Sequence, residues 1–288
     1  MVNKTKILLT GSSGQLGQTF LNLEKDYDYI FFPFSKESMD ITDYDLVEKT
    51  INNLLPDIII NCAAFTDVNL SQSLFEKSNS INNLAVYNLA KICLEKSIKL
   101  IHFSTDYIFD GKNEISYSEN SIPNPLNNYG KSKLLGEKSI LKLNLPNSMI
   151  IRTSWLYSRF NINFVSKIIY KINSKINFNV VDNEIGSPTR ALDLANAILH
   201  IIPKFNNKKT EIYNFANTGF CSRHEFALKI NKFVNGKSVI GKTKNYSNVP
   251  RPIFSAMNSE KFMSKFNYPI PNWEDSLIYH INELHNER

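Results

Sequence analysis

The sequence predicts an α/β fold: a doubly wound parallel sheet with a smaller C-terminal region interleaved into it. Three observations lead there. Short apolar runs over residues 6–10, 29–32, 57–61, 100–104 and 149–153 have the length of buried strands and are separated by helical patterns. The first run passes directly into a glycine turn, Gly11-Ser12-Ser13-Gly14-Gln15-Leu16-Gly17, that opens the first helix. The residues able to do chemistry cluster where the runs end, the edge at which open parallel sheets bind ligands.

At 288 residues the chain can bury a large core, as one domain or as two closely joined ones. Its 42% hydrophobic and 21% charged residues match a soluble globular protein. No apolar run approaches the roughly 20 residues needed to span a bilayer. Residues 1–10 carry no long apolar core or cleavage site of a signal peptide, so a cytoplasmic location and no membrane partner are expected. Cys62, Cys93 and Cys221 are widely spaced, and no Cys/His cluster suggests a metal; small buried hydrophobes are the expectation for all three. The formal charge of +6 is scattered without basic runs interleaved with aromatics, which argues against nucleic acid. It suits attraction of a phosphorylated small molecule.

In chain order, the glycine turn fits a dinucleotide. Gly11 permits the tight turn, Gly14 lets the backbone approach a pyrophosphate, and Gly17 lets helix pack on strand. The second strand ends without the Asp or Glu that would bond a ribose 2′-hydroxyl. Ser35 and Lys36 follow instead and suit a 2′-phosphate, so NADPH is favoured and NADH remains open. Asp43 is the expected N-cap of a helix over residues 44–54, and Asp40 is placed near the adenine. The third strand opens into Cys62-Ala63-Ala64-Phe65-Thr66, small enough at its start for a dinucleotide to lie against the backbone. A helix over residues 75–96 follows. His102, inside the fourth strand, reads as a satisfied sheet histidine.

Beyond that strand come Ser104-Thr105-Asp106-Tyr107, a polar loop over residues 110–128, and Asn128-Tyr129-Gly130-Lys131-Ser132-Lys133. Tyr129 and Lys133 are four apart on a helical pattern and share a face. A phenol beside an ammonium could exchange a proton near neutral pH, which suits carbonyl reduction or its reverse. The plainer alternative is an amphipathic helix with an incidental Tyr and Lys. After residue 155 the alternation weakens: a helix over 164–172, strands at 178–181 and 212–215, and an amphipathic helix through Leu192 and Leu199.

Taken together, Thr10–Gly17, Asp40–Asp43, Asn61–Thr66, Ser104–Gly111, Pro125–Lys133, Arg152–Trp155, Gly186–Thr189 and Arg251–Ser255 resemble the dTDP-4-dehydrorhamnose reductases. These are extended short-chain dehydrogenases/reductases with a Rossmann-like sheet. The resemblance implies an NADP-binding domain over residues 1–154 and a mainly substrate-binding region over 155–288, interleaved with the last sheet strands. It implies that Tyr129 protonates the C4 carbonyl oxygen of a nucleotide-linked 4-keto-6-deoxy sugar. Lys133 would hold the nicotinamide ribose and lower the phenol pKa, and Thr105 would bond the same oxygen. Asp106 would contact the substrate and Trp155 would wall the sugar pocket. Gly11, Gly14, Gln15, Leu16 and Gly17 would line the pyrophosphate, Asp40 and Ile41 the adenine, and Ala64, Phe65 and Thr66 the nicotinamide side, with Lys36 near the 2′-phosphate. Residues 68–72 depart from the family pattern. Some relatives dimerise through a glutamate-held metal; the corresponding places here are Thr19 and Leu192, which do not ligate one. No metal is expected, a homodimer is left open, and both another nucleotide-linked keto sugar and a non-catalytic regulatory subunit remain alternatives.

Overall fold

The computed structural model describes residues 4–244 and 247–286. Its centre is a six-stranded parallel sheet. The first five strands are β1 (Thr5–Thr10), β2 (Tyr29–Phe34), β3 (Ile58–Asn61), β4 (Lys99–Thr105) and β5 (Ser148–Thr153). The sixth, Glu211–Asn214, pairs with the outer side of β5. The order is Glu211–Asn214, β5, β4, β3, β1, β2. From β1 the chain winds first to β2 and then returns to β3, leaving a crevice beyond the strands' carboxyl ends.

Alternation along each strand sends side chains to opposite faces and so builds two cores. Ile7, Leu9, Ile58 and Ile60 face one layer, while Leu8 and Ile59 face the other. The first layer holds α1 (Gln15–Asn22), through Leu16 and Phe20. The second holds α2 (Tyr44–Leu54), through Val47 and Ile51. Asp43 caps α2 by accepting from the Leu46 N–H.

Two local differences from the sequence reading have physical causes. β2 continues through Pro33 to Phe34, because β2 is an edge strand and its outer side needs no donor. The helix expected over 75–96 has those bounds but is α4 (Phe75–Asn79), a π-helical turn (Ser80–Leu84) and α5 (Ala85–Lys96) in succession, and a short α3 (Val68–Ser73) that the pattern did not reveal precedes it. Asn82, buried in the π turn, exchanges two hydrogen bonds with the Phe65 backbone and donates to Ser132. The wider turn carries the side chain that ties the third loop to α6 (Asn128–Leu143).

Beyond residue 155 the chain serves both parts of the fold. α7 (Phe164–Asn173) joins a separate apolar cluster around Tyr157, Phe226 and Trp273. α8 (Ala191–Ile201) returns to the sheet and packs Leu194, Ile198 and Ile201 in the first core. α9 (Arg223–Phe233) adds to the separate cluster, α10 (Glu260–Phe266) covers the outer end of the sheet, and α11 (Trp273–Asn286) completes the cluster. The strand expected at 178–181 is Phe178–Val181, and its partner is Ile240–Thr243, which the sequence pattern did not reveal. No helix among the described residues is long and apolar enough to cross a membrane.

Candidate active site

A cleft of about 680 Å³ runs along the carboxyl ends of β1 and β3 to β5. At one end lies the glycine turn. Gly11 has φ +62°, and a Cβ there would meet the Ala63 nitrogen at 2.6 Å. Gly17 lies so close to the Gly11 carbonyl that a Cβ would stand 2.3 Å from its oxygen. These contacts keep α1 pressed on the strand end and aim its N-terminus into the cleft, an arrangement that fits a pyrophosphate. Gly14, Gln15 and Leu16 line the same wall, and Lys36, Asp40 and Ile41 stand nearby. The Asp40 carboxylate accepts from the Thr42 N–H and hydroxyl, which hold its pKa below the usual range despite partial desolvation.

Ala64 and Thr66 also line the cleft. Phe65 is not part of that lining; Asn82 holds its backbone and Lys77 lies 5.9 Å from the centre of its ring. Ser35 is not part of it either: its hydroxyl donates to Glu37 at 2.7 Å and only Lys36 of that pair reaches the cleft lining. Thr19 and Leu192 lie elsewhere, beside a separate small cavity with Arg190 and Glu283, and the Thr19 hydroxyl donates to the Gln15 carbonyl.

The far end of the cleft brings Thr105, Asp106, Tyr129, Lys133 and Trp155 together. Thr105 ends β4 and its hydroxyl donates to Asp106 at 3.0 Å. Asp106 also accepts from Ser255 at 2.7 Å, and burial pushes its pKa up to about 6. Tyr129 sits in the first turn of α6, which Asn127 caps through the Gly130 N–H. Gly130 is required there, since a Cβ would approach the Tyr107 carbonyl oxygen to 2.0 Å.

The relation between Tyr129 and Lys133 differs from the simple pairing expected. Burial pushes the phenol pKa upward, the Thr105 hydroxyl pulls it partly back, and Lys133 is not among the charges acting on it. The Lys133 nitrogen is drawn inward to the strand, donating to the Phe103 carbonyl at 2.6 Å and standing 3.4 Å from His102 Nε2. Burial pushes Lys133 down to about 8, opposed by Glu137. Glu137 is itself held by both arms of Arg152, at 3.0 and 2.7 Å.

Arg223 is a charged cleft residue that sequence reasoning missed. Its guanidinium stacks 3.5 Å over the Trp155 ring and lies 3.7 Å from a Glu184 oxygen. It enters from the first position of α9, more than sixty residues from Trp155 in sequence; only the capping box Ser222–Glu225 marks that helix start locally. Trp155 holds φ 45°, and Gly186 leaves room for the indole: a Cβ there would stand 2.5 Å from the ring. The Ser104 and Thr153 hydroxyls are buried on the cleft lining without hydrogen-bond partners among the described residues, polar groups that a bound molecule can satisfy.

A parallel sheet with a glycine-turn anion site and a Tyr/Lys helix at the far end of one cleft defines an extended short-chain dehydrogenase/reductase, a nicotinamide-dependent class of oxidoreductase. Within that class the chain belongs to the RmlD substrate binding domain family, whose model matches residues 5–286. It is 34% identical over 282 residues to the spore coat polysaccharide biosynthesis protein SpsK of Bacillus subtilis, covering 97% of this chain and 98% of that one. It is 32% identical to the dTDP-4-dehydrorhamnose reductase of Aggregatibacter actinomycetemcomitans, covering 94% and 97%. The crystal structure of dTDP-4-dehydrorhamnose reductase from Bacillus anthracis in complex with NADP superposes with a TM-score of 0.92 at 32% identity, covering 98% and 99%.

Proposed function

We propose that the protein reduces the C4 keto group of a nucleotide-linked 4-keto-6-deoxy sugar with NADPH, converting dTDP-4-dehydro-L-rhamnose to dTDP-L-rhamnose. The observation that carries this reading is the cleft itself: Tyr129 and Thr105 stand at one end and the glycine turn at the other. When bound, NADPH supplies the hydride. Tyr129 supplies the proton to the carbonyl oxygen, and burial keeps its phenol protonated before the transfer. Thr105 donates its hydroxyl to the same oxygen, giving up its bond to Asp106. Lys133 holds the nicotinamide ribose. Trp155 and Arg223 form the sugar side, where the guanidinium also adds positive charge for a nucleotide diphosphate.

Incubation with NADPH and a panel of nucleotide-linked 4-keto sugars tests the proposal, following loss of nicotinamide absorbance and identifying the product. The expected result is turnover of the dTDP-linked 4-keto-6-deoxy sugar to the 6-deoxy product. Turnover of a differently linked keto sugar alone would correct the substrate. NADPH binding with no turnover of any would favour a non-catalytic subunit.

A further inference from the structure

Beneath the cleft a chain of buried polar groups links the cofactor side to Lys133. The Ala63 N–H points at Thr10 Oγ1 and Asn61 Oδ1, at 3.3 and 3.2 Å, and the Thr10 hydroxyl donates to the same Oδ1 at 2.6 Å. Asn61 Nδ2 then stands 3.1 Å from His102 Nδ1, and His102 Nε2 stands 3.4 Å from Lys133 Nζ. Thr10, Asn61, His102 and Lys133 are all buried. The Thr10 contact has the length of an O–H···O bond and is too short for an amide N–H, and the Ala63 N–H converges on the same atom, so together they place the oxygen end of the Asn61 amide there. The amide nitrogen must therefore face His102, and Nδ1 must accept. A neutral imidazole carries one proton, which then lies on Nε2 and points at the lysine nitrogen.

Two N–H groups facing each other repel, whereas an amine offers a lone pair. We propose that His102 is a positioning residue for Lys133: held by Asn61 as the Nε2–H tautomer, it fixes the lysine nitrogen against the Phe103 carbonyl and loosens its hold on a proton. Lys133 then exchanges between ammonium and amine within the working pH range. The assignment rests on the reductase reading of Tyr129 and Lys133 and adds to it a named source of the lysine's proton lability. The other groups facing Lys133 do not reverse it. Cys62 stays a neutral thiol because burial pushes its pKa up, Glu137, paired with Arg152, opposes the downward shift of Lys133 without reversing it, and the Phe103 carbonyl accepts from amine and ammonium alike. His102 itself stays neutral, since burial and then the Lys133 charge lower its pKa well below the ordinary value.

The test is NMR on the full chain, labelled with ¹⁵N in histidine and ¹³Cε in lysine, with the Lys133 signal assigned by its loss in Lys133→Met. In the wild type the His102 proton is expected on Nε2 and Lys133 should titrate near 8. Asn61→Asp is nearly isosteric but can only accept, so it should move the His102 proton to Nδ1 and present a lone pair to Lys133. The lysine titration should then rise by about one to two pH units. A wild-type proton on Nδ1, or a wild-type Lys133 that titrates like a free lysine, overturns the proposal without any variant. So does a rise in Asn61→Asp without a change of tautomer, which would leave the new carboxylate charge as the cause, and so does an unmoved lysine titration. Both signals are readable whether or not any keto sugar is reduced, so this proposal and the reductase reading fail separately.

Discussion

Tyr129→Phe preserves the ring and its edge contact with Tyr107, 5.7 Å between centroids, and removes only the hydroxyl. Loss of a positioned general acid costs about 100- to 10,000-fold in rate, so kcat should fall by that factor while the NADPH dissociation constant stays nearly constant. Steady-state kinetics with fluorescence titration checks both, and a variant retaining most of its turnover would remove Tyr129 from the mechanism. Lys36→Ala tests the cofactor side: without the ammonium, the charge-assisted hydrogen bond to the 2′-phosphate cannot form. NADPH binding should weaken about 10- to 100-fold and NADH binding should stay nearly unchanged, read by the same titration. Asp106 makes a pH prediction. Its folded-state pKa of about 6 lies above the ordinary carboxyl value of 3.8, so between those pH values the folded protein holds a proton that the unfolded chain has released. Stability from this site is therefore greatest below that window and declines as pH rises through it. Asp106→Asn should flatten that part of the stability curve, measured by denaturant unfolding from pH 4 to 7.

At the scale of elements, what was legible in the sequence depended on whether the cause was local. The glycine turn, the Asp43 cap and the strand runs rest on neighbouring residues, and the structure has them at the expected positions. The π turn at Ser80–Leu84 was not legible, because its reason is contact with Phe65 and Ser132 across the fold. Arg223 was hidden for the same reason: a distant helix start delivers it to Trp155. That Tyr129 and Lys133 line one cleft from the same helix was readable from their spacing. That the lysine turns to Phe103 and His102 was not, since those partners lie on β4. Gly17→Ala probes the turn as an element. With a Cβ 2.3 Å from the Gly11 oxygen and 2.7 Å from the Ser12 Cα, backbone must move and α1 must lift from the strand end. NADPH binding should be lost and the melting temperature should drop, by calorimetry with and without cofactor.

The whole molecule does not divide at residue 154 in the way its linear order suggests. The face of the sheet bearing Ile7, Ile60 and Ile101 is covered by Leu194, Ile198 and Ile201 of α8. The free side of β5 is closed by the strand Glu211–Asn214, and Phe262 and Phe266 of α10 pack on that end. A fragment ending at residue 154 would expose that apolar face and leave β5 as an unpaired edge, both routes to aggregation. Burial of a large aliphatic side chain contributes about 1.5 to 3 kcal/mol, so losing α8 alone removes an amount comparable with the whole stability of an ordinary domain. The full chain should therefore unfold in one calorimetric transition, and saturating NADPH should raise that transition as a unit. At about 100 times the dissociation constant the ligand contributes about 2.7 kcal/mol, or several degrees for a chain of this length. Residues 1–154 expressed alone should be insoluble or should lack native-like amide dispersion. Two separate transitions, or a folded, NADPH-binding 1–154 fragment, would show that the residues beyond 155 are an appendage to the sheet and not part of what holds it together.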